Sequence, residues 1–342
     1  MQDARTGDSP VYGAVDLGTN NCRMLMATPA SQGFRVVGSY SRIVRLGEGL
    51  AGGDRLSPRA IGRAIAALRT CAERLASWHP RRVRCVATEA CRRAANSAEF
   101  LADVVSETGL QLEPIATREE AELTVAGCAP LLDMTHPTSL VFDIGGGSTE
   151  VIWLQHDGTN PPRLIDFVSA PIGVVTLAEQ IGSGADSIRD YDEPIEAFDE
   201  LLEDFDSRHN IRREVEAGRV GIVGTSGTVT TLGAFDLDLP RYNRAKVNGH
   251  VIGRDRVIEL NARLAAMGHA ARAAHPCIGR DRADLVVAGC AILEAICRRW
   301  PVGALRVADQ GIREGLIFGM MAADGYRPTA KMDGPLPASL PA

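Results

Sequence analysis

Two kinds of apolar spacing alternate along this chain. Short runs such as Leu140-Val-Phe142 and Val220-Gly-Ile-Val223 end on glycine-rich turns and read as buried strands. Elsewhere apolar residues return every three or four positions, as in Ile61, Ile65, Leu68, Cys71 and Leu75. That spacing predicts an amphipathic helix, with Ser57-Pro58 as its N-cap and first turn. Further strands are expected at Phe34–Arg45, Val83–Thr88, Leu112–Ile115, Val151–Leu154, Leu164–Val168 and Leu305–Ala308. Helices are expected around Phe100–Val105, from Thr117 onward, and at Val174–Ile181, Asp190–His209 and Val229–Phe235. Three more follow at Arg254–Met267, Arg282–Arg299 and Ile312–Met321. Strands alternating with helices throughout put the chain in the α/β class.

One strand–turn–strand pattern occurs twice. From Leu140 to Trp153, Gly145, Gly146 and Gly147 form the turn, Ser148 and Thr149 stand at its rim, and Asp143 and Glu150 flank it. Consecutive glycines reach backbone angles closed to other residues and let main-chain N–H groups approach an anion. The two carboxylates would repel phosphate unless a cation lay between them, so the simplest ligand set is phosphate with Mg²⁺. From Val11 to Ala27 the pattern returns: Asp16 matches Asp143, Gly18 matches Gly145, and Thr19 with Asn20 stand where Gly146 to Ser148 stand. The Leu140–Trp153 stretch alone is also compatible with a glycine-rich surface hairpin. Two of them in one chain imply two related domains facing each other across a cleft.

Bulk properties narrow the partners. With 342 residues, 45% hydrophobic and 23% charged, the chain can bury two ordinary globular cores. A formal net charge of −6 argues against general nucleic-acid binding, so a polyanion must be met by local arginines and a metal. Of the basic pairs, Arg92-Arg93 offers in Arg92 the best candidate for substrate contact. The eight cysteines are scattered without a Cys-x-x-Cys pair, which favours free buried thiols in a reducing cytoplasm. No apolar stretch approaches membrane-spanning length, so a cytosolic protein without a membrane partner is expected. Three residues also carry a plain structural reading. Thr117-Arg-Glu-Glu120 matches a helix capping box, Asp309 can cap the last helix, and Ser226 resembles a nucleophile but has no informative histidine.

Asp16-Leu-Gly-Thr-Asn-Asn, Arg118-Glu-Glu-Ala, Asp143-Ile-Gly-Gly-Gly-Ser-Thr-Glu and Gly224-Thr-Ser-Gly-Thr occur in this order, with Ala87-Thr88, Arg92 and Arg306-Val-Ala-Asp-Gln-Gly-Ile-Arg-Glu-Gly315. In these residues the chain resembles the exopolyphosphatase/guanosine pentaphosphate phosphohydrolase (Ppx/GppA) family, from about Val11 to about Met321. It looks like the short form, without the C-terminal helical extension of longer members. Glu89 departs from the pattern, standing where the family usually has a small or neutral residue.

The resemblance implies two actin-like ATPase domains of the actin, Hsp70 and sugar-kinase kind around a central cleft. The expected first domain is 11–123 with 309–326 and the second 124–308, leaving 1–10 and 327–342 loose. It also implies hydrolysis of a terminal phosphoanhydride, with inorganic polyphosphate as substrate or guanosine pentaphosphate as the runner-up. Glu120 falls on the family's catalytic carboxylate, which activates water. Asp143 and Glu150 fall on acids associated with Mg²⁺ or Mn²⁺, directly or through water, and Asp16 is a further candidate. Phosphate contacts fall to Gly18, Thr19, Asn20 and Asn21, to Gly145, Gly146, Gly147, Ser148 and Thr149, and to Thr225, Ser226, Gly227 and Thr228. The resemblance admits a homodimer. A phosphotransferase would need an acceptor pocket and an adenosine site. A non-catalytic nucleotide sensor or actin-like assembly protein would not need Glu120 together with Asp143 and Glu150.

Overall fold

The protein, described here from a computed structural model, covers residues 9–31, 33–157, 161–181 and 188–326. The ends expected to be loose lie outside the described residues, save for residues 9 and 10. The first sheet holds β1 (Tyr12–Leu17), β2 (Asn21–Pro29), β3 (Phe34–Ile43), β4 (Arg82–Ala87) and β5 (Leu112–Pro114). The second holds β6 (Thr138–Ile144), β7 (Thr149–Gln155), β8 (Arg163–Ala170), β9 (Val220–Thr225), β10 (Val251–Gly253) and β11 (Ala304–Ala308).

Their orders, β3-β2-β1-β4-β5 and β10-β11-β9-β6-β7-β8, repeat one plan. In each, an Asp-bearing strand pairs antiparallel with its hairpin partner and parallel with a later strand on its other side. Even the irregularities correspond. The register shifts at Met26/Ala27 and at Trp153/Leu154, ten residues beyond Asp16 and Asp143 respectively. The extra edge strand β10 has only three residues, too few for alternation to announce it.

In the first half the helices are α1 (Pro58–Trp78), α2 (Glu89–Arg93), α3 (Ser97–Thr108) and α4 (Thr117–Cys128). The second half adds α5 (Val174–Ile181), α6 (Asp192–His209), α7 (Ile211–Glu216), α8 (Gly227–Asp236), α9 (Arg244–Val247) and α10 (Arg254–Ala266). Last come α11 (His269–Ala274), α12 (Val286–Arg299) and α13 (Ile312–Ala323). Ser57 caps α1, its hydroxyl accepting from the Ala60 N–H at 3.2 Å, and the apolar stripe through Leu68, Cys71 and Leu75 is buried. The helix expected from Arg282 begins four residues later, at Val286.

Strand alternation sends each sheet's residues to two cores. Val15 and Met24 pack with Leu68 and Cys71 of α1, while Ala14 and Leu25 face Leu316 and Ile317 of α13. Phe142 and Val151 pack with Phe198 of α6 and Ile292 of α12, while Val141 and Ile152 face Ala121 and Val125 of α4. Helices α4 and α13 therefore lie between the two sheets, against each other. Their crossing leaves no room for side chains. A Cβ on Gly127 would stand 2.0 Å from the Gly311 carbonyl oxygen, and one on Gly315 would stand 2.1 Å from that of Leu123. A domain boundary between Leu123 and Thr124 would cut α4, which is one continuous helix.

Gly127→Ala and Gly315→Ala should each destabilise the protein by about 1–3 kcal/mol or more, because backbone cannot move aside as a side-chain tip can. Gly319→Ala, in the same α13 but facing open space, should be neutral or stabilising by up to ~1 kcal/mol. Urea unfolding midpoints of the three variants check this. Equal midpoints would mean the crossing is loose.

Candidate active site

The two glycine-bearing turns meet face to face. A Cβ on Gly146 would stand 3.0 Å from the Asn20 backbone nitrogen, and one on Gly147 would stand 2.6 Å from the Thr19 hydroxyl. Each turn is tied down through its carbonyls. The Thr19 oxygen accepts from the Gly47 N–H, and the Asn20 oxygen from Val44 and Arg45. Gly145 and Gly146 accept from the Val174 and Val175 N–H groups at the start of α5. With the carbonyls turned away, the Gly146 and Gly147 N–H groups donate to no other group among the described residues. Donors of this kind at a cleft are the means by which backbone binds phosphate.

The cleft between the turns is lined by Asp16, Gly18, Thr19, Asn20, Asn21, Glu120, Asp143 and Gly145 to Ser148, together with Ser226, Gly227 and Thr228. Four expected site residues are not in its wall. The Thr149 hydroxyl donates to the Ile172 carbonyl at 2.7 Å, and that of Thr225 to the Gln310 carbonyl at 2.7 Å. Glu150 is 2% exposed, behind the turn, and accepts from the Ser169 hydroxyl at 2.8 Å. Arg92 is turned onto carboxylates. Its Nη1 donates to Glu120 at 2.6 Å and to the Ile115 carbonyl at 3.0 Å, while its Nη2 donates to Glu89 at 2.8 Å.

Ser226 lines the cleft but spends its hydroxyl on capping α8, accepting from the Thr228 and Val229 N–H groups. Its φ of 137° lies where glycine is the usual occupant, and the surrounding loop must hold that strain. Neither of the plain readings of the two acids survives. The N-cap of α4 is Ala116, and the Glu120 carboxylate is engaged by Arg92. The N-cap of α13 is Gly311, whose N–H donates to Glu314 at 2.9 Å, while Asp309 accepts from the Tyr242 hydroxyl at 2.6 Å.

The two hairpins differ at one matched position. Arg23 pairs across from Asp16, and Glu150 pairs across from Asp143 at the same step of the second hairpin. Arg23 lines the cleft although no motif marked it. The only signal was an arginine inside an otherwise apolar strand. Other unforeseen lining residues, among them Asn261, Leu264, Arg282, Leu285, Val286 and Cys290, come from α10, α12 and the segment before α12. Their approach to the cleft is tertiary, and no spacing in the chain encodes it.

The acids are held in a poorly solvated place. Burial pushes Asp143 up to about 6, with Arg23 offsetting part of the effect. Burial and then the charge of Asp143 push Glu150 up to about 7, against hydrogen bonds from Ser169 and Ser148. Asp16 is raised by burial, and its Oδ1 has no hydrogen-bond partner. Glu120 is 6% exposed. Burial and the charge of Glu150 hold it well above the ordinary carboxylate range, and the ion pair with Arg92 only partly offsets this. Each of these groups is therefore favoured by a proton or by added positive charge.

The sign of the resulting pH dependence follows. Carboxyls whose pKa is raised by folding add stability that is present near pH ~4 and lost as pH climbs through the folded values, about 6 for Asp143 and about 7 for Glu150. In chelated buffer the protein should therefore melt higher at about pH 6 than at about pH 8. Asp143→Asn and Glu150→Gln should each shrink that difference. A thermal melt that is flat over this range in the parent would sink the assignment of buried, unbalanced acids.

Among the described residues no helix is long and apolar enough to cross a membrane. All eight cysteines are free, and seven are buried. The profile of the Ppx/GppA phosphatase family matches residues 25–324. Exopolyphosphatase 2 of Mycobacterium tuberculosis is 32% identical over 322 residues, spanning 90% of this chain and 97% of its own. A guanosine-5'-triphosphate,3'-diphosphate pyrophosphatase of Aeromonas salmonicida is 30% identical over 315 residues, covering 92% of this chain and 60% of its own. The solved Ppx/GppA protein of Aquifex aeolicus superposes with a TM-score of 0.73 at 25% identity, over 94% of this chain and 100% of its own. The fold is thus the α/β architecture of that solved protein, built here on two sheets that repeat one strand order. With family profile, relatives and fold in agreement, the chain belongs to the Ppx/GppA phosphatase family, whose chemistry is hydrolysis of a phosphoanhydride.

Proposed function

We propose that the protein is an exopolyphosphatase that releases orthophosphate from the end of inorganic polyphosphate, with Glu120 as the base that activates water. The observation that carries this reading is Glu120 itself, a buried carboxylate in the cleft wall whose pKa is raised and whose orientation Arg92 fixes. A base with a raised pKa is well matched to proton abstraction near neutral pH. The Gly146 and Gly147 N–H groups would hold the oxygens of the terminal phosphate, and the Gly227 N–H at the start of α8 those of a neighbouring one. Water lying between Glu120 and the terminal phosphorus would then attack in line with the leaving oxygen.

The donor set suits a hard divalent cation, Mg²⁺ or Mn²⁺. Asp143 and Asp16 present buried carboxylates, one Asp16 oxygen lacks any partner, and Glu150 pairs across the hairpin from Asp143, whose charge it feels. Among the described residues no three such side chains close on one point. An ion held there would complete its shell with water and phosphate oxygens. When bound, it supplies charge neutralisation at the transferring phosphoryl group.

One observation favours guanosine pentaphosphate as a second reading, hydrolysed at its 5' terminal phosphate by the same residues. The cleft continues into an apolar arm lined by Leu264, Leu285, Val286 and Cys290. There Asn261, 4% exposed, donates to the Cys290 carbonyl at 3.0 Å and leaves its own Oδ1 without a partner. Polyphosphate has no apolar surface to bury in this arm, whereas a purine has both a flat face and N–H donors.

Glu120→Gln keeps the shape and the acceptor but removes the basicity, so kcat should fall by about 10²–10⁴-fold while binding and melting temperature stay near the parent's. In the parent, kcat should rise with pH through a value above the ordinary carboxylate range, and Glu120→Gln should lose that rise. Retention of more than about a tenth of the rate would place the base elsewhere. Phosphate release compared on long polyphosphate, tripolyphosphate, guanosine pentaphosphate and ATP decides the substrate, and release from none of them overturns the reading. If the apolar arm holds a base, Asn261→Leu should lower the kcat/KM ratio of guanosine pentaphosphate to tripolyphosphate by about tenfold, an unpaired buried donor being that costly.

A further inference from the structure

Glu89 is a charged residue of the cleft wall that neither the phosphate turns nor the general base accounts for. It opens α2, at the C-terminal end of β4, and its side chain is 14% exposed. It lies against the second glycine turn, since a Cβ on Gly147 would stand 3.1 Å from the Glu89 Cγ. Its Oε2 accepts from Arg92 Nη2 at 2.8 Å and from Nε at 3.2 Å. Nη1 of the same guanidinium serves Glu120 and the Ile115 carbonyl. Four of the five N–H groups of Arg92 are thus committed to protein oxygens. The guanidinium stands between two carboxylates, with at most one donor left for a ligand.

This arrangement opposes what a polyanion needs. The remaining acids of the wall are Asp16, Glu120 and Asp143, and its cations are Arg23 and Arg282. A phosphate chain passing Gly147 meets the Glu89 carboxylate before it can reach Arg92. It must either displace Glu89 from the guanidinium or lie beside a carboxylate that shares its one positive partner with Glu120.

We infer that Glu89 is a specificity-determining residue, a charge filter that locks Arg92 onto Glu120 and weakens binding of phosphate chains in proportion to their charge density. The inference rests on the reading of this cleft as a phosphoanhydride site. It assigns Glu89 no part in the bond-breaking step.

Glu89→Gln isolates the charge, because the amide oxygen can still accept from Arg92. Calorimetric binding of inorganic tripolyphosphate to parent and variant, at about 0.05 M and about 0.3 M salt, provides a readout independent of turnover. The variant should bind about tenfold more tightly at low salt, the advantage shrinking at high salt, and KM should fall in parallel while kcat changes less than about threefold. Glu89→Ala, which also unties Arg92, should show the same tightening but lose kcat as Glu120 loses its fixed partner. Equal or weaker binding by Glu89→Gln would overturn the filter and leave Glu89 as a mere prop for Arg92. Absence of tripolyphosphate binding in both proteins would overturn it as well. A parent that binds tripolyphosphate but hydrolyses nothing would refute the hydrolase reading while leaving the Glu89 comparison intact.

Discussion

The closeness of one helix crossing sets the geometry of everything at the cleft. Helices α4 and α13 touch backbone to backbone, Gly127 against the Gly311 carbonyl and Gly315 against that of Leu123. Each helix packs on a different sheet, so this contact fixes how near the sheets come. Glu120 rides on α4 two turns before Gly127, and the strands bearing Asp16 and Asp143 end on either side of the same gap. A Cβ at either glycine would force the two helices, and the sheets they pack on, to shift apart. The raised pKa values of Asp143, Glu150 and Glu120 depend first on burial.

Repetition supplied the frame and divergence supplied the chemistry. The two sheets share strand order, hairpin and even the position of a register shift, as expected of two copies of one unit. At the matched cross-strand position, however, one copy carries Arg23 and the other Glu150. One hairpin therefore balances its aspartate internally, and the other compounds the negative charge. An acidic half and a half-neutralised one face each other across the cleft. Arg92 belongs to this balance rather than to the phosphate path. Its role in the structure is to hold Glu120 on one side and Glu89 on the other.

What the sequence by itself determined was everything carried by local periodicity and turn chemistry. Alternating strands and helices, the Ser57 cap, the two glycine turns and their repeat were all legible, because each depends on residues within a few positions of one another. The short β10, with three residues, left no period to read. The site was legible only in part. Asp16, Asp143, Glu120 and the glycine turns lie in the cleft wall, since motifs place them at strand and helix ends that the fold brings together. Tertiary structure alone decided the rest. The hydroxyls of Thr149 and Thr225 went to carbonyls that only the folded chain supplies, and Glu150 went behind the turn. The Glu120 side chain, equally able to cap its helix, was taken by an arginine 28 residues away. Arg282 and the apolar arm with Asn261 arrived from α10, α12 and the segment before α12. Such partners are chosen by three-dimensional proximity and desolvation, and neither quantity is written in the spacing of residues along a chain.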